Sequence, residues 1–202
     1  MIFGLVLAEA VVVMAFYRPP ATTTLDRAPA GNAVEAPGHA TPAEPVEQMS
    51  DYDALARRNL TLPIASVTAR DIQDSFTQGR SGGKRHEAVD ILAPRGTPVH
   101  AVEDGFVRKL FNSVPGGLTI YEFDGQSIYC YYYAHLDHYA AGIKEGDAVK
   151  RGDVIGYVGT TGDARGGEPH LHFAITKLGP EKHWWQGEAI NPYPVLRPLV
   201  TK

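Results

Sequence analysis

The chain of 202 residues contains a single cysteine, Cys130, so it forms no intrachain disulfide and no Cys-rich zinc finger. Metal chemistry must then rest on His, Asp and Glu. A basic excess is also lacking: 19 Lys and Arg stand against 23 Asp and Glu, a formal charge of -4. That balance disfavours nucleic acid as the main partner. No long amphipathic helix is visible, and no H-E-x-x-H phrase occurs, which excludes the thermolysin-type zinc arrangement. Between Arg18 and Ser50 there is no Phe, Trp or Tyr. A stretch without them buries too little apolar surface to fold.

What remains is globular in character, with 44% hydrophobic and 9% aromatic residues. At about 150 residues per domain, the length allows one folded unit and a surplus of roughly 50 residues. The surplus lies at the front. Residues 1–17 (MIFGLVLAEAVVVMAFY) are apolar apart from Glu9. A helix of that length would reach about 26 Å, slightly short of a ~30 Å hydrocarbon core. It reads as a short membrane anchor or a signal-peptide core, although no basic residue precedes it and Arg18 follows it. Glu9 favours the other reading, a buried N-terminal helix. Residues 18–50 hold Pro19, Pro20, Pro29, Pro37, Pro42 and Pro45 with seven alanines, and read as a disordered tether. Residues 51–61 carry a short helix or the linker's end, with Ser50 as N-cap, Asp53 at the capping-box position and Leu55 on the apolar face. A folded domain over 62–197 and a tail at 198–202 complete the division.

From Leu62 onward, short apolar runs are cut by Gly, Pro and Asp at intervals of about 8 to 12 residues, the rhythm of an all-β antiparallel sandwich or barrel-like domain. Leu118–Phe123 and Ser127–Ala134 are the clearest strands, joined across Asp124-Gly125 as a tight hairpin. Thr97–Leu110 bends at Asp104-Gly105, and Val154–Val158 and Leu171–Thr176 supply two more strands.

Seven of the eight histidines fall in this β region. In RHEAVDIL, alternation on an extended strand puts His86, Ala88 and Asp90 on one face and Val89 and Ile91 on the other. In PHLHF it puts His170 and His172 on one face with Leu171 and Phe173 behind. His135, at the end of YCYYYAHL, shares a face with Tyr131 and Tyr133 by the same rule. A hydrolytic zinc site needs three protein ligands and an open position for water, with further groups nearby to move protons and stabilise an oxyanion. Zinc lowers the pKa of water from about 15.7 to about 7. Five groups at three places suffice, but spacing alone does not divide ligands from proton carriers.

The ordered phrases H-x-x-x-D, ILAPRGTPVHAVEDGFV, YAHL, KEGDAVKRGDVIGYVGTTG and PHLHF resemble the catalytic domain of lysostaphin-type (LytM-type) zinc endopeptidases, which cut peptide bonds in bacterial peptidoglycan. The resemblance runs from about Phe76 to Leu196 and includes an Ile190 to Pro192 phrase. It implies Zn2+ held by His86, Asp90 and His172, with His135 and His170 as the non-ligand catalytic pair; which of the two is the base stays open. It also implies peptidoglycan peptides as substrate and a cell-envelope location, periplasmic or extracellular. One departure is Ala88, where the family usually has glycine. Two other readings compete with a peptidase: a silent domain that binds or activates another wall hydrolase, and a biotinyl- or lipoyl-like carrier built on KEGDAVKRGDVIGYVG.

The remaining residues have ordinary readings. His138 belongs to a loop, His100 to an exposed strand position and His183 to a groove wall beside Trp184 and Trp185. Tyr129, Tyr131 and Tyr133 form either a cleft lining or core. Cys130 reads as a small buried hydrophobe. Glu87 and Glu168 flank the ligand motifs as possible partners for imidazole N–H groups.

Overall fold

A computed structural model describes residues 49–68 and 70–200. The expectations for residues 1–17 and for the tether up to residue 48 lie outside the described residues. Among the described residues, no helix is long and apolar enough to cross a membrane.

Helix α1 (Asp51–Ala56) begins as the sequence requires: the Ser50 side chain caps it by accepting from the Asp53 N–H at 3.2 Å, and Leu55 is buried. Nine antiparallel strands follow. They are β1 (Val89–Leu92), β2 (Pro98–His100), β3 (Gly105–Ser113), β4 (Gly117–Asp124), β5 (Tyr129–Tyr139), β6 (Ala148–Val149), β7 (Val154–Val158), β8 (His170–Leu178) and β9 (Gly187–Ile190). Helix α2 (Tyr193–Leu196) and a 3-10 turn end the described chain, and Val200 packs into the core rather than trailing free.

The sheet order is β1-β8-β5-β4-β3-β6, with β7 paired to β2 and β5, and β9 to β8. Strand β5 organises the whole. Its first half, Tyr129 to Ala134, pairs with β8, and its second half, Leu136 to Tyr139, pairs with β7. The β4–β5 connection is longer than the tight turn expected at Asp124-Gly125. The Asp124 carboxylate accepts from the N–H groups of Gln126, Ile128 and Tyr129, which organises a wider loop with Ser127 in the left-handed region (φ 54).

Residues 55–72 contribute Leu55, Leu60, Ile64 and Ile72 to the same core as Val89, Ile91, Leu171, Phe173 and Ile175. Tyr129, Tyr131 and Tyr133 are core as well, which settles their double reading. Each has an outlet for its hydroxyl, as a buried tyrosine needs: Tyr129 donates to Asp51, Tyr131 to Glu103 and Tyr133 to Glu122. Cys130, on the other face, is buried with Phe123 and Leu178.

Glu122 is a costly member of this interior. Tyr133 donates to its Oε2 at 2.6 Å, while its Oε1 has no partner. Burial, assisted by the nearby Glu103, pushes the carboxyl up to about 8 despite the tyrosine hydrogen bond. Folding therefore favours the protonated form. The stability this contributes is complete below the unfolded value of about 4.3 and is lost as pH rises to about 8. Glu122→Gln keeps the shape and removes the titration. Between pH 6 and pH 8.5 the wild type should lose roughly 2 to 3 kcal/mol more than the variant, read by urea unfolding at both pH values. Parallel curves for the two proteins would refute this.

Candidate metal centre

Three side chains meet on one face where β1 lies against β8. Asp90 and His172 are direct cross-strand partners, as are Val89 and Phe173 behind them. His86 reaches the same point differently from the alternation rule. It precedes β1, and Glu87 beside it is left-handed (φ 54), so a turn rather than a continuous strand aims the imidazole at Asp90. His86 Nε2 is 3.1 Å from Asp90 Oδ1 and 3.0 Å from His172 Nδ1, and His172 Nδ1 is 3.0 Å from Asp90 Oδ1. A tetrahedral zinc ion with bonds of about 2.0 to 2.1 Å has donor-to-donor edges of about 3.3 Å. The triangle is close to one face of that tetrahedron, and two imidazole nitrogens with one carboxylate suit a divalent cation. The residues therefore fit the metal that the sequence implied.

The surrounding contacts fix these donors. His86 Nδ1–H donates to the Ser75 carbonyl at 3.1 Å, with Ser75 Oγ at 3.0 Å, so Nε2 presents its lone pair to the site. Arg80 donates through Nη2 to Asp90 Oδ2 at 3.0 Å, leaving Oδ1 for the triangle. Burial alone would raise the Asp90 carboxyl, but the imidazoles of His172 and His86 packed against it outweigh burial and hold the group well below the usual carboxylate range. Burial lowers the His172 imidazole below its ordinary value, against the opposing pull of Asp90. Ala88 is fully buried, and its carbonyl accepts from Ser75 Oγ at 3.5 Å. Its methyl is enclosed within the protein rather than exposed in the cleft above the triangle.

His135 and His170 complete the cluster, with ring centroids 5.0 Å apart, and His135 lies 5.5 Å from the His172 ring. His135 does not share a face with Tyr131 and Tyr133, contrary to simple alternation. Leu118 pairs with Leu136 and Ile120 with Tyr133, so Ala134 and His135 together oppose Thr119 in a β-bulge, with His135 at φ 60. The bulge turns the imidazole away from the core side and marks the point where β5 exchanges β8 for β7. His135 Nδ1–H donates to the Thr161 carbonyl at 2.9 Å, and His170 Nδ1–H to the Glu168 carbonyl at 2.8 Å. Both rings are thereby left with Nε2 free to accept a proton. Burial, with His172 and His170 close by, lowers the His135 imidazole below its ordinary value, which keeps it neutral at pH 7.

The bulge depends on a close approach. A Cβ on Gly159 would overlap the main chain of Asp137 and the His135 carbonyl, neither of which can swing away. Gly159→Ala should cost on the order of 1 to 3 kcal/mol, lowering Tm by roughly 3 to 10 °C, and should reduce activity as His135 shifts. A thermal melt unchanged within 1 to 2 °C would contradict the packing argument (about 2 to 4 °C per kcal/mol at this size).

A cleft of about 400 Å³ lies over the cluster, lined by Arg80, Lys84, His86, Tyr132, His135, Asp163 and His172 among others. Sequence reasoning missed Ser75, Arg80, Thr161 and Asp163. Glu168 serves through its carbonyl rather than its carboxylate, and Glu87 lines a separate depression with Trp184 and Trp185. His138 lies in β5 rather than in a loop, its ring stacked on Tyr157 at 4.4 Å, and His183 stacks on Trp185.

The chain is 38% identical over 148 residues to an L-Ala–D-Glu endopeptidase of Bacillus subtilis, covering 71% of this chain and 44% of that one. It is 36% identical over 100 residues to the peptidoglycan DD-endopeptidase ShyC of Vibrio cholerae, covering 50% of this chain and 22% of that one. The chain thus spans less than half the length of these curated relatives. Among solved structures, the catalytic domain of lysostaphin from Staphylococcus simulans superposes with a TM-score of 0.52 at 30% identity, covering 61% of this chain and 89% of that domain. Residues 84–192, 109 of the 202, match the family model of Peptidase family M23. The histidine and aspartate triangle thus lies inside the matched segment, and the chain belongs to peptidase family M23.

Proposed function

We propose that this protein is a zinc metallo-endopeptidase that hydrolyses peptide bonds of peptidoglycan stems or cross-bridges in the cell envelope. The observation that carries the reading is the triangle of His86 Nε2, Asp90 Oδ1 and His172 Nδ1, with edges of 3.0 to 3.1 Å, beside a cleft lined by the His135 imidazole, with the His170 ring 5.0 Å from that of His135. The relatives, named as endopeptidases of L-Ala–D-Glu and DD bonds, support the substrate class.

In this reading His86, Asp90 and His172 hold zinc, which when bound activates water and polarises the scissile carbonyl. His135 and His170 do the proton work. Each is held by a main-chain carbonyl at Nδ1, so its tautomer is set and Nε2 is the exchanging atom. A neutral His135 accepts a proton at pH 7, and once protonated either ring donates a hydrogen bond to a developing oxyanion or leaving amine. Asp163, with Oδ1 3.6 Å from His135 Nε2, favours the charged imidazolium at that stage.

The deciding experiment incubates the full chain with purified peptidoglycan, with and without chelator, and identifies released fragments by mass spectrometry. The expected result is release at one defined bond, abolished by chelator and restored by zinc. No release by the zinc-loaded protein from walls of several types would overturn the enzymatic reading in favour of a silent binding domain.

A further inference from the structure

The segment before His86 folds as a hairpin. Gly79 bridges to Arg85, the Arg80 N–H donates to the Lys84 carbonyl at 2.7 Å, and the His86 N–H donates to the Gln78 carbonyl at 2.9 Å. Its tip, Ser81–Gly83, turns through Gly82 and Gly83 at φ 78 and 74, conformations that suit glycine. The hairpin carries three cations, Arg80, Lys84 and Arg85, flanking that tip, in a molecule whose formal charge is -4. Two of them, Arg80 and Lys84, line the cleft over the metal triangle.

Their partners are few. Arg80 gives one amino group to Asp90 Oδ2 and keeps other N–H donors exposed. Lys84 makes no salt bridge among the described residues. The same cleft is also lined by Asp163, whose Oδ1 is 3.6 Å from His135 Nε2. The hairpin thus contributes two cations to the cleft, against a single lining carboxylate, Asp163. Low-dielectric walls strengthen such a field for a group that enters it. A guanidinium and an ammonium directly opposite each other across a hairpin suit a carboxylate, which can take one bond from each.

We propose that Arg80 and Lys84 form a carboxylate-recognition pair, so that this protein selects peptides bearing a free carboxylate within a residue or two of the scissile bond. The proposal rests on the peptidase reading for the identity of the ligand. The cleft's size supplies the distance limit, because the cations and the triangle share one space of about 400 Å³. A neutral glycine-type bridge would leave both cations unmatched.

The test uses soluble peptidoglycan fragments in two forms, native and with their carboxylates converted to carboxamides by carbodiimide and ammonia. Cleavage is followed with the zinc-loaded full chain, and binding is measured with the full-chain His135→Gln variant, which leaves Arg80 and Lys84 in place. The native form should be preferred about five- to tenfold in kcat/KM, mainly through KM, and by a similar ratio in affinity. Lys84→Gln should remove most of that preference with kcat within about twofold, and Lys84→Glu should reverse it. Lys150→Gln, a lysine outside the cleft, should leave it intact. Equal cleavage and equal binding of the two forms would overturn the proposal, as would a preference undiminished in both Lys84 variants. Preferential binding without any cleavage would uphold the carboxylate pair and overturn the peptidase reading instead.

Discussion

Replacing His172 with alanine should reduce bound zinc from one ion per chain to under about a tenth and lower peptidoglycan cleavage by at least about a thousandfold. The reason is the shape of the donor set. Three protein atoms 3.0 to 3.1 Å apart leave only an outer position for water, so no fourth protein donor replaces a lost one. His135 and His170 lie beside the triangle, but their Nδ1 atoms are committed to the Thr161 and Glu168 carbonyls, and His170 Nε2 stays 3.9 Å from Asp90 Oδ1. Asp90→Asn should act similarly, because it removes the anion that both imidazoles and Arg80 address. Neither change touches the apolar core, which lies behind the site with Val89, Leu171 and Phe173.

A second readout separates metal loss from misfolding. Zinc at about 100 times its Kd should stabilise the wild type by about 2.7 kcal/mol and raise its Tm by several degrees. In His172→Ala and Asp90→Asn the metal-free Tm should stay near that of the metal-free wild type, while the zinc-dependent rise disappears. Metal analysis by mass spectrometry and paired melts check both. A variant that still binds one zinc and still cuts would remove His172 from the ligand set.

The five candidate residues are easier to find in the sequence than the backbone geometry that brings them together. Strand alternation works where the backbone is regular: Asp90 and His172 are cross-strand partners, and His170 and His172 share a face two residues apart on β8. It fails at His86 and His135, because a left-handed Glu87 and a bulge at Ala134-His135 interrupt the period of two. Neither residue is a glycine or asparagine that would announce positive φ. The Thr161 and Glu168 carbonyls that orient the imidazoles are main-chain atoms and carry no residue signature. Ser75 and Arg80 lie in the turn-rich segment before the motifs, where pattern reading has no period to follow. The tyrosine stripe was ambiguous for a related reason: a hydroxyl satisfied inside a core, as Tyr133 is by Glu122, reads in sequence like one facing a cleft.

His135→Gln and His170→Gln should each lower kcat by about 100- to 10,000-fold while retaining a full complement of zinc. Glutamine is the informative replacement because its amide can still donate to the Thr161 or Glu168 carbonyl but takes up no proton at neutral pH. KM should change little, since His135 is one of many residues lining the cleft and His170 is not among them. The two losses should combine to less than their product if both histidines serve one proton transfer, because removing either already disables it. A multiplicative double variant would instead show that each imidazole contributes independently to the same rate-limiting transition state. Kinetics on a defined muropeptide, with zinc content measured on the same samples, distinguish these outcomes. A single variant that kept more than a tenth of wild-type kcat would exclude that histidine from the proton work and leave the metal and the other imidazole to account for the reaction.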